Sequence, residues 1–242
     1  MEEEFSRFRW EESGEAALEK LEVKPRLAIL DLADESSIDD CVKQVEKEVG
    51  RVDILILNGA FAAPKDAPPK DFARMMIKTN NFGCHKALQS FRALLAPGAR
   101  VLVVASGFGT LEGLPDDLRA RLDTSKMSYE ELHGLLEEYV VACEEETLEL
   151  KGWPTFVNKM SKVGQVALTR IFAREAKDLV VNAVCPGWTW TDAARAFIEA
   201  SEALQAKAKS PKEAAVDAVW AAGMAERPYG ELLQYRKVLP WS

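Results

Sequence analysis

Strands alternating with amphipathic helices along 242 residues predict an α/β protein: a doubly wound parallel sheet with helices on both faces. Three observations carry that expectation. Residues 52–57 (VDILIL) are a nearly continuous apolar run, the pattern of a parallel strand covered on both faces. Residues 100–105 (RVLVVA) and 179–184 (LVVNAV) are further apolar runs of strand length. Between those two, residues 158–175 place Met160, Val163, Gly164, Ala167, Leu168, Ile171 and Phe172 at helical spacing, giving one buried stripe. Gly164 and Ala167 let that helix lie close against a sheet.

The remaining elements follow in order. Residues 1–22 open acidic with scattered Phe5, Phe8 and Trp10, and Ala16, Ala17, Leu18 and Leu21 suggest a helix end. Residues 27–30 read as a short strand ending at Asp31. Ser36 or Ser37 is the expected cap of a helix striped by Ile38, Cys41, Val42, Val45 and Val49 and stopped by Gly50. The 52–57 strand ends in Asn58-Gly59-Ala60, and 64–69 is a loop. Residues 72–95 are mostly helix, closed by Pro97-Gly98. Residues 111–151 interrupt the rhythm with a helix over 129–149 that keeps Leu132, Leu135, Leu136, Tyr139 and Val140 on one side. Ser210, Pro211 and Glu213 form a capping box for a helix to Ala225, and 231–235 is a final strand. No repeat or linker divides the chain, so residues 1–242 read as a single domain.

A net charge of −8 without a basic stripe argues against a nucleic-acid backbone as partner. No apolar run approaches the ~20 residues of a membrane span, and no signal-peptide pattern is present. Cys41, Cys84, Cys143 and Cys185 are far apart and lack C-x-x-C spacing, which predicts a reduced, cytoplasmic protein without a metal.

Asn158 and Lys162 stand i, i+4 and share one helix face. With them go KTNNFG (78–83), RVLVVAS (100–106), KGWP (151–154), SKVGQVALTR (161–170) and NAVCPGWTWTD (182–192). Together these segments resemble the short-chain dehydrogenase/reductase superfamily. KGWP and CPGW point within it to the NADPH-dependent carbonyl reductases, and the match runs from about Gly14 to Trp241. The resemblance implies a Rossmann-like fold and hydride transfer from NADPH to a small aldehyde, ketone or quinone. It also implies a monomer, because an insertion at 111–151 covers a surface that other members use for oligomers. Two departures stand out. The Tyr of the family's Tyr-x-x-x-Lys is Asn158, and the first Gly-rich βαβ segment is absent. The expected sheet is therefore truncated at its N-terminus by two strands, which leaves 52–57 with unpaired backbone and a bare apolar face. Re-pairing, another chain, or a longer protein of which this is an incomplete version would each answer that.

Residue by residue, the resemblance makes Lys162 the active-site lysine, which binds the nicotinamide ribose and lowers the pKa of the catalytic tyrosine. Asn158 occupies the tyrosine's place, and a carboxamide offers a hydrogen bond but no acid. Ser106 matches the serine that bonds the substrate carbonyl, although a serine ending a strand also caps turns. Asn80 matches the asparagine of a proton relay. Asp31 corresponds to an adenine contact, Asn58, Gly59 and Ala60 to the family's Asn-Asn-Ala-Gly, and Pro186, Gly187, Trp188 and Thr189 to the nicotinamide carboxamide segment. Gly107, Gly109 and Gly113 imitate a phosphate loop, but the third glycine is displaced by one and no clear helix follows. Without a Gly-rich turn at a helix N-terminus, NADPH binding is expected to be weak or absent. Two readings stay open: a carbonyl reductase-like oxidoreductase, weak or inactive as written, and a non-catalytic pseudoenzyme serving as a binding or scaffold protein. Tyr139, folding over from the insertion, is the remaining candidate acid.

Overall fold

The computed structural model describes residues 15–16, 22–23, 25–63, 67–224 and 228–242. Phe5, Phe8, Trp10, Ala17, Leu18, Leu21, positions 64–66 of the expected loop and Ala225 lie outside the described residues.

The described chain runs α1 (Glu35–Glu48), β1 (Val52–Leu57), α2 (Pro69–Ile77), a π-helical turn (Lys78–Gly83), α3 (Cys84–Phe91) and β2 (Leu95–Val104). It continues with a 3₁₀ turn (Gly107–Gly109), α4 (Asp116–Arg121), α5 (Tyr129–Glu144), α6 (Val157–Glu175) and β3 (Val180–Val184). The last elements are α7 (Asp192–Glu199), α8 (Glu202–Gln205), α9 (Pro211–Ala222), β4 (Leu232–Gln234) and β5 (Lys237–Leu239). The sheet order is β1-β2-β3-β4-β5. The first four strands are parallel, and β5 returns antiparallel to β4. Every residue of β3 is buried, as a central parallel strand requires. On one face Val101 and Val103 pack into the core shared with α6 and α5. On the other, Leu102 and Val184 meet Ala221 of α9.

Several expectations need correction. Among the described residues, positions 27–30 join no ladder, and α1 bonds Leu27 at the start of the stretch and Asp31 just after its end. Gln44 Nε2 donates to the Leu27 carbonyl at 3.1 Å, and the Asp31 N–H donates to Ser37 Oγ at 2.9 Å. The cap of α1 is Asp34, not Ser36 or Ser37; its carboxylate accepts from the Ser36 N–H at 2.9 Å. The run 52–57 is not covered on both faces. Among the described residues β1 pairs only with β2, and Ile54 and Ile56 are 47% and 45% exposed while Leu55 and Leu57 are buried. The expected 72–95 helix starts at Pro69 and yields to β2 at Leu95, whose ladder skips from Val52↔Leu95 to Ile54↔Arg100. Pro97, which has no N–H to give, and Gly98 at φ +77° occupy that skipped stretch. The insertion helix stops at Glu144, and the final strand is the hairpin β4–β5, turned by Tyr235 and Arg236 at φ +51° and +59°. The capping box is present as read, with Ser210 Oγ accepting from the Glu213 N–H and the Glu213 carboxylate accepting from the Ser210 N–H.

The π-helical turn and α6 are joined by carboxamides. Asn80 accepts from the Phe61 N–H at 2.7 Å and donates to the Phe61 carbonyl and to Ser161 Oγ. Asn81 Nδ2 donates to the Ser161 carbonyl at 2.9 Å. Gly164 makes this possible, since a Cβ there would overlap the Asn81 carboxamide. The insertion helix docks differently. Arg74 of α2 forks to Glu137 and Glu144, and His133 of α5 meets His85 of α3 with ring nitrogens 3.1 Å apart. Burial, and then the neighbouring His133, push the pKa of His85 down to about 4.

Two outcomes follow. Gly164→Ala should lower stability by about 1–3 kcal/mol in urea titration, through overpacking at Asn81. The folded chain refuses a proton at His85 that the unfolded chain takes at about pH 6.5, so stability should fall as pH drops from there towards 4. His85→Phe should flatten that slope, measured as urea midpoints at pH 7.5 and 5.

Candidate active site

Ligands of open α/β sheets bind beyond the carboxyl ends of the strands. Three segments gather there: residues 58–60 after β1, Ser106 and the 3₁₀ turn after β2, and Cys185 onward after β3. Helix α6 lies beside them. A Cβ on Gly109 would come 2.9 Å from the Lys162 carbonyl and 2.6 Å from a Val166 methyl, so this glycine lets the turn rest on the helix. The Gly107 N–H donates to Cys185 Sγ at 3.0 Å, which ties the β2 end to the β3 end. Phe108 then reaches both ways, edge to face with Phe156 at 5.2 Å and with Trp188 at 6.1 Å between ring centroids.

Lys162 points into this junction. Its Nζ donates to Gln165 Oε1 at 2.7 Å. Burial lowers its pKa to about 8, against the opposing influence of the Cys84 and Cys185 thiols. Asn158 stands one turn earlier, half-buried in the first turn of α6. Ser106 Oγ accepts from the Phe108 N–H at 3.3 Å, so the hydroxyl caps the 3₁₀ turn. Asn80 is buried, and its carboxamide is engaged by Phe61 and Ser161, the residue before Lys162. Tyr139 is not a substitute acid. Its ring is fully buried against Trp153, its hydroxyl donates to the Pro154 carbonyl at 3.1 Å, and burial raises its pKa.

The cofactor candidates fall into two groups. Leu32, next to Asp31, touches both Gly59 and Gly83, which brings the Asp31 turn and residues 58–60 together. Asp31 Oδ1 is occupied by the Ala33 N–H at 2.8 Å, while Asn58, Gly59 and Ala60 are exposed. Pro186, Gly187, Trp188 and Thr189 form the second group. Gly187 sits at φ +78°, and the segment is held by Lys209, whose N–H donates to the Trp188 carbonyl. These ends suit a dinucleotide, but the middle does not. Helix α1 begins beside Leu32, yet Asp34 caps it and Glu35 opens it, so carboxylates stand where phosphate would need donors. Gly107 and Gly109 form the 3₁₀ turn and Gly113 a later turn; α4 starts only at Asp116, and no phosphate loop results.

A cleft of about 430 Å³ opens next to the junction, lined by Phe108, Thr110, Glu112, Phe156 and Lys159 among others. Sequence reasoning had not singled out Phe156 or Lys159, because their contacts are with a loop some fifty positions earlier. Among the described residues no helix is long and apolar enough to cross a membrane.

A family model described as enoyl-(acyl carrier protein) reductase matches residues 7–130. Carbonyl reductase (NADPH) 1 of Mus musculus is 31% identical over 249 residues, covering 96% of this chain and 87% of that protein. Carbonyl reductase (NADPH) 3 of Mus musculus is 30% identical with the same coverage. Among solved structures, salutaridine reductase from Papaver somniferum superposes with a TM-score of 0.78 at 20% identity, covering 90% of this chain and 86% of that one. NADPH-bound carbonyl reductase from chicken fatty liver gives 0.62 at 16% identity, covering 90% and 78%. Sequence identity sustained over nearly the full length, on a shared α/β fold, means that this chain belongs to the short-chain dehydrogenase/reductase superfamily, on its carbonyl reductase-like branch.

Proposed function

We propose that this chain is a carbonyl reductase-like oxidoreductase that uses NADPH to reduce an aldehyde, ketone or quinone, and that Asn158 makes it slow on ketones. The observation that carries the reading is the shared junction of Lys162, the Ser106 turn and the Cys185 segment beyond β2 and β3. The carbonyl reductases at 30–31% identity support the reaction class. Bound NADPH would supply the hydride. Lys162 and residues 186–189 would hold its nicotinamide end, and Asp31, Asn58, Gly59 and Ala60 its adenine end. The carboxylates at the start of α1 predict weak binding. All four cysteines are free and buried, in keeping with a reduced, cytoplasmic setting.

The chain's own residues divide the remaining work unevenly. Ser106 can turn its hydroxyl proton to a substrate carbonyl while its oxygen still accepts from Phe108. Asn158 can orient the carbonyl but cannot protonate an alkoxide, so the proton must come from water. Quinone reduction depends less on an obligatory acid and is the favoured activity. One observation favours the alternative, a non-catalytic binding or scaffold protein: Asp34 caps α1 and Glu35 opens it, where a dinucleotide phosphate would need donors.

Titration of the purified chain with NADPH, followed by nucleotide fluorescence, should show weak saturable binding, and NADPH oxidation should proceed with 1,4-naphthoquinone. No binding and no oxidation would leave the non-catalytic reading. Asn158→Tyr should raise aldehyde and ketone turnover by ~10²–10⁴-fold, with a smaller gain on the quinone. Lys162 gives a separate test. Its folded pKa of about 8 lies below the unfolded value, so a burial penalty is present below pH 8 and relieved between about 8 and 10.5. Over that window wild-type stability should rise relative to Lys162→Met, by at most about 3 kcal/mol, in denaturant titrations at stepped pH.

A further inference from the structure

The cleft beside the 3₁₀ turn combines an aromatic wall with a cation. Phe108 and Phe156 meet edge to face at 79° and leave ring surface on the lining. Lys159 is half-buried on the same lining, and its Nζ donates to the Thr110 carbonyl at 2.6 Å. An ammonium has three donors, so two remain for a ligand. Among the described residues no carboxylate lies within ion-pair distance of Lys159; the exposed Glu112 at the rim acts on it only from farther away. The first turn of α6 reinforces the sign. It carries no acidic residue and no side-chain cap, so its backbone N–H groups and positive dipole end are not neutralised. Burial lowers the Lys159 pKa, consistent with a cation kept partly from water and awaiting a counter-charge.

We infer that this cleft selects planar aromatic carbonyl compounds bearing an anionic group, with Phe108 and Phe156 taking the ring and Lys159 the carboxylate or sulfonate. The inference rests on the hydride-transfer reading of the adjoining junction and names its substrate class. A carboxylate on the ring would face Lys159 while the carbonyl lies towards Ser106, since Gly107 and Phe108 connect the two. The charge-assisted hydrogen bond formed there is of the strong kind. A neutral analogue would forgo it and keep only the aromatic contact.

The test compares 4-acetylbenzoate with its neutral twin, methyl 4-acetylbenzoate, by ligand-observed NMR titration of the full chain. Wild type should bind the acid roughly tenfold more tightly than the ester, and the preference should shrink as salt is raised. Lys159→Met should erase the preference, and Lys159→Arg should retain it. Equal binding of acid and ester by wild type, no binding of the acid, or a preference that survives in Lys159→Met would each overturn the inference. NADPH oxidation with both compounds separates this from the underlying reading. Reduction without acid preference would refute the subsite and spare the reductase, whereas acid preference with no NADPH oxidation even by 1,4-naphthoquinone would do the reverse.

Discussion

The placement of every group in the site depends on how tightly α6 is held to the π-helical turn Lys78–Gly83. Two carboxamides bridge the gap through Ser161: Asn80 to its hydroxyl and Asn81 to its carbonyl. The same Asn80 grips both the N–H and the C=O of Phe61, so the loop after β1 is held with them. An extra residue accommodated in a helix is tolerated where something is gained, and here the gain is the set of hydrogen bonds that Asn80 and the Asn81 amide group make to Phe61 and Ser161, although Asn81 Oδ1 is itself buried without a partner among the described residues. The two glycines at either side are part of the arrangement. Gly164 clears space for Asn81, and Gly83 clears space for the Leu32 carbonyl, where any side chain would overlap backbone. Lys162 follows Ser161 directly, so its direction is inherited from this joint.

Electrostatically, α6 presents two lysines with different surroundings. Lys162 is deep, bonded to Gln165 of its own helix, and shares its space with two thiols. Lys159 is shallower and leans on the Thr110 carbonyl across the cleft. Among the described residues neither has a carboxylate within ion-pair distance, whereas most of the other described lysines and arginines do. Two lysines without a carboxylate partner thus stand on α6 in a protein whose overall charge is −8.

Local chemistry was the most readable part of the sequence. The Ser210-Pro211-Glu213 box and the 52–57 strand carry their instructions within a few residues, and both appear where read. Residues 27–30 failed as a strand because strand identity belongs to a pair, and no partner strand lies beside them among the described residues; α1 side chains bond only Leu27 and the following Asp31. The continuous apolar run of β1 said nothing about Ile54 and Ile56 being bare, since a run without alternation hides which face is covered. The hairpin at Tyr235-Arg236 was missed because it lacks the usual Gly or Asn; its left-handed residues are held by outside contacts. The Tyr235 N–H donates to Asp217 and Lys209 lies over the ring at 4.3 Å. At the site, Lys162, Asn158 and Ser106 were legible through family motifs. Phe156 and Lys159 were not, because only folding brings 154–159 against 107–113.

The C-terminal strand ends in an unexpected place. The carbonyl of Trp241 accepts from the Leu111 N–H at 2.8 Å, and Arg170 lies over its indole at 5.5 Å. The penultimate residue is thus stitched to the loop that walls the cleft. Changes at Trp241 would therefore be felt in the 111–113 stretch that flanks the cleft, although the indole itself is not part of the cleft wall.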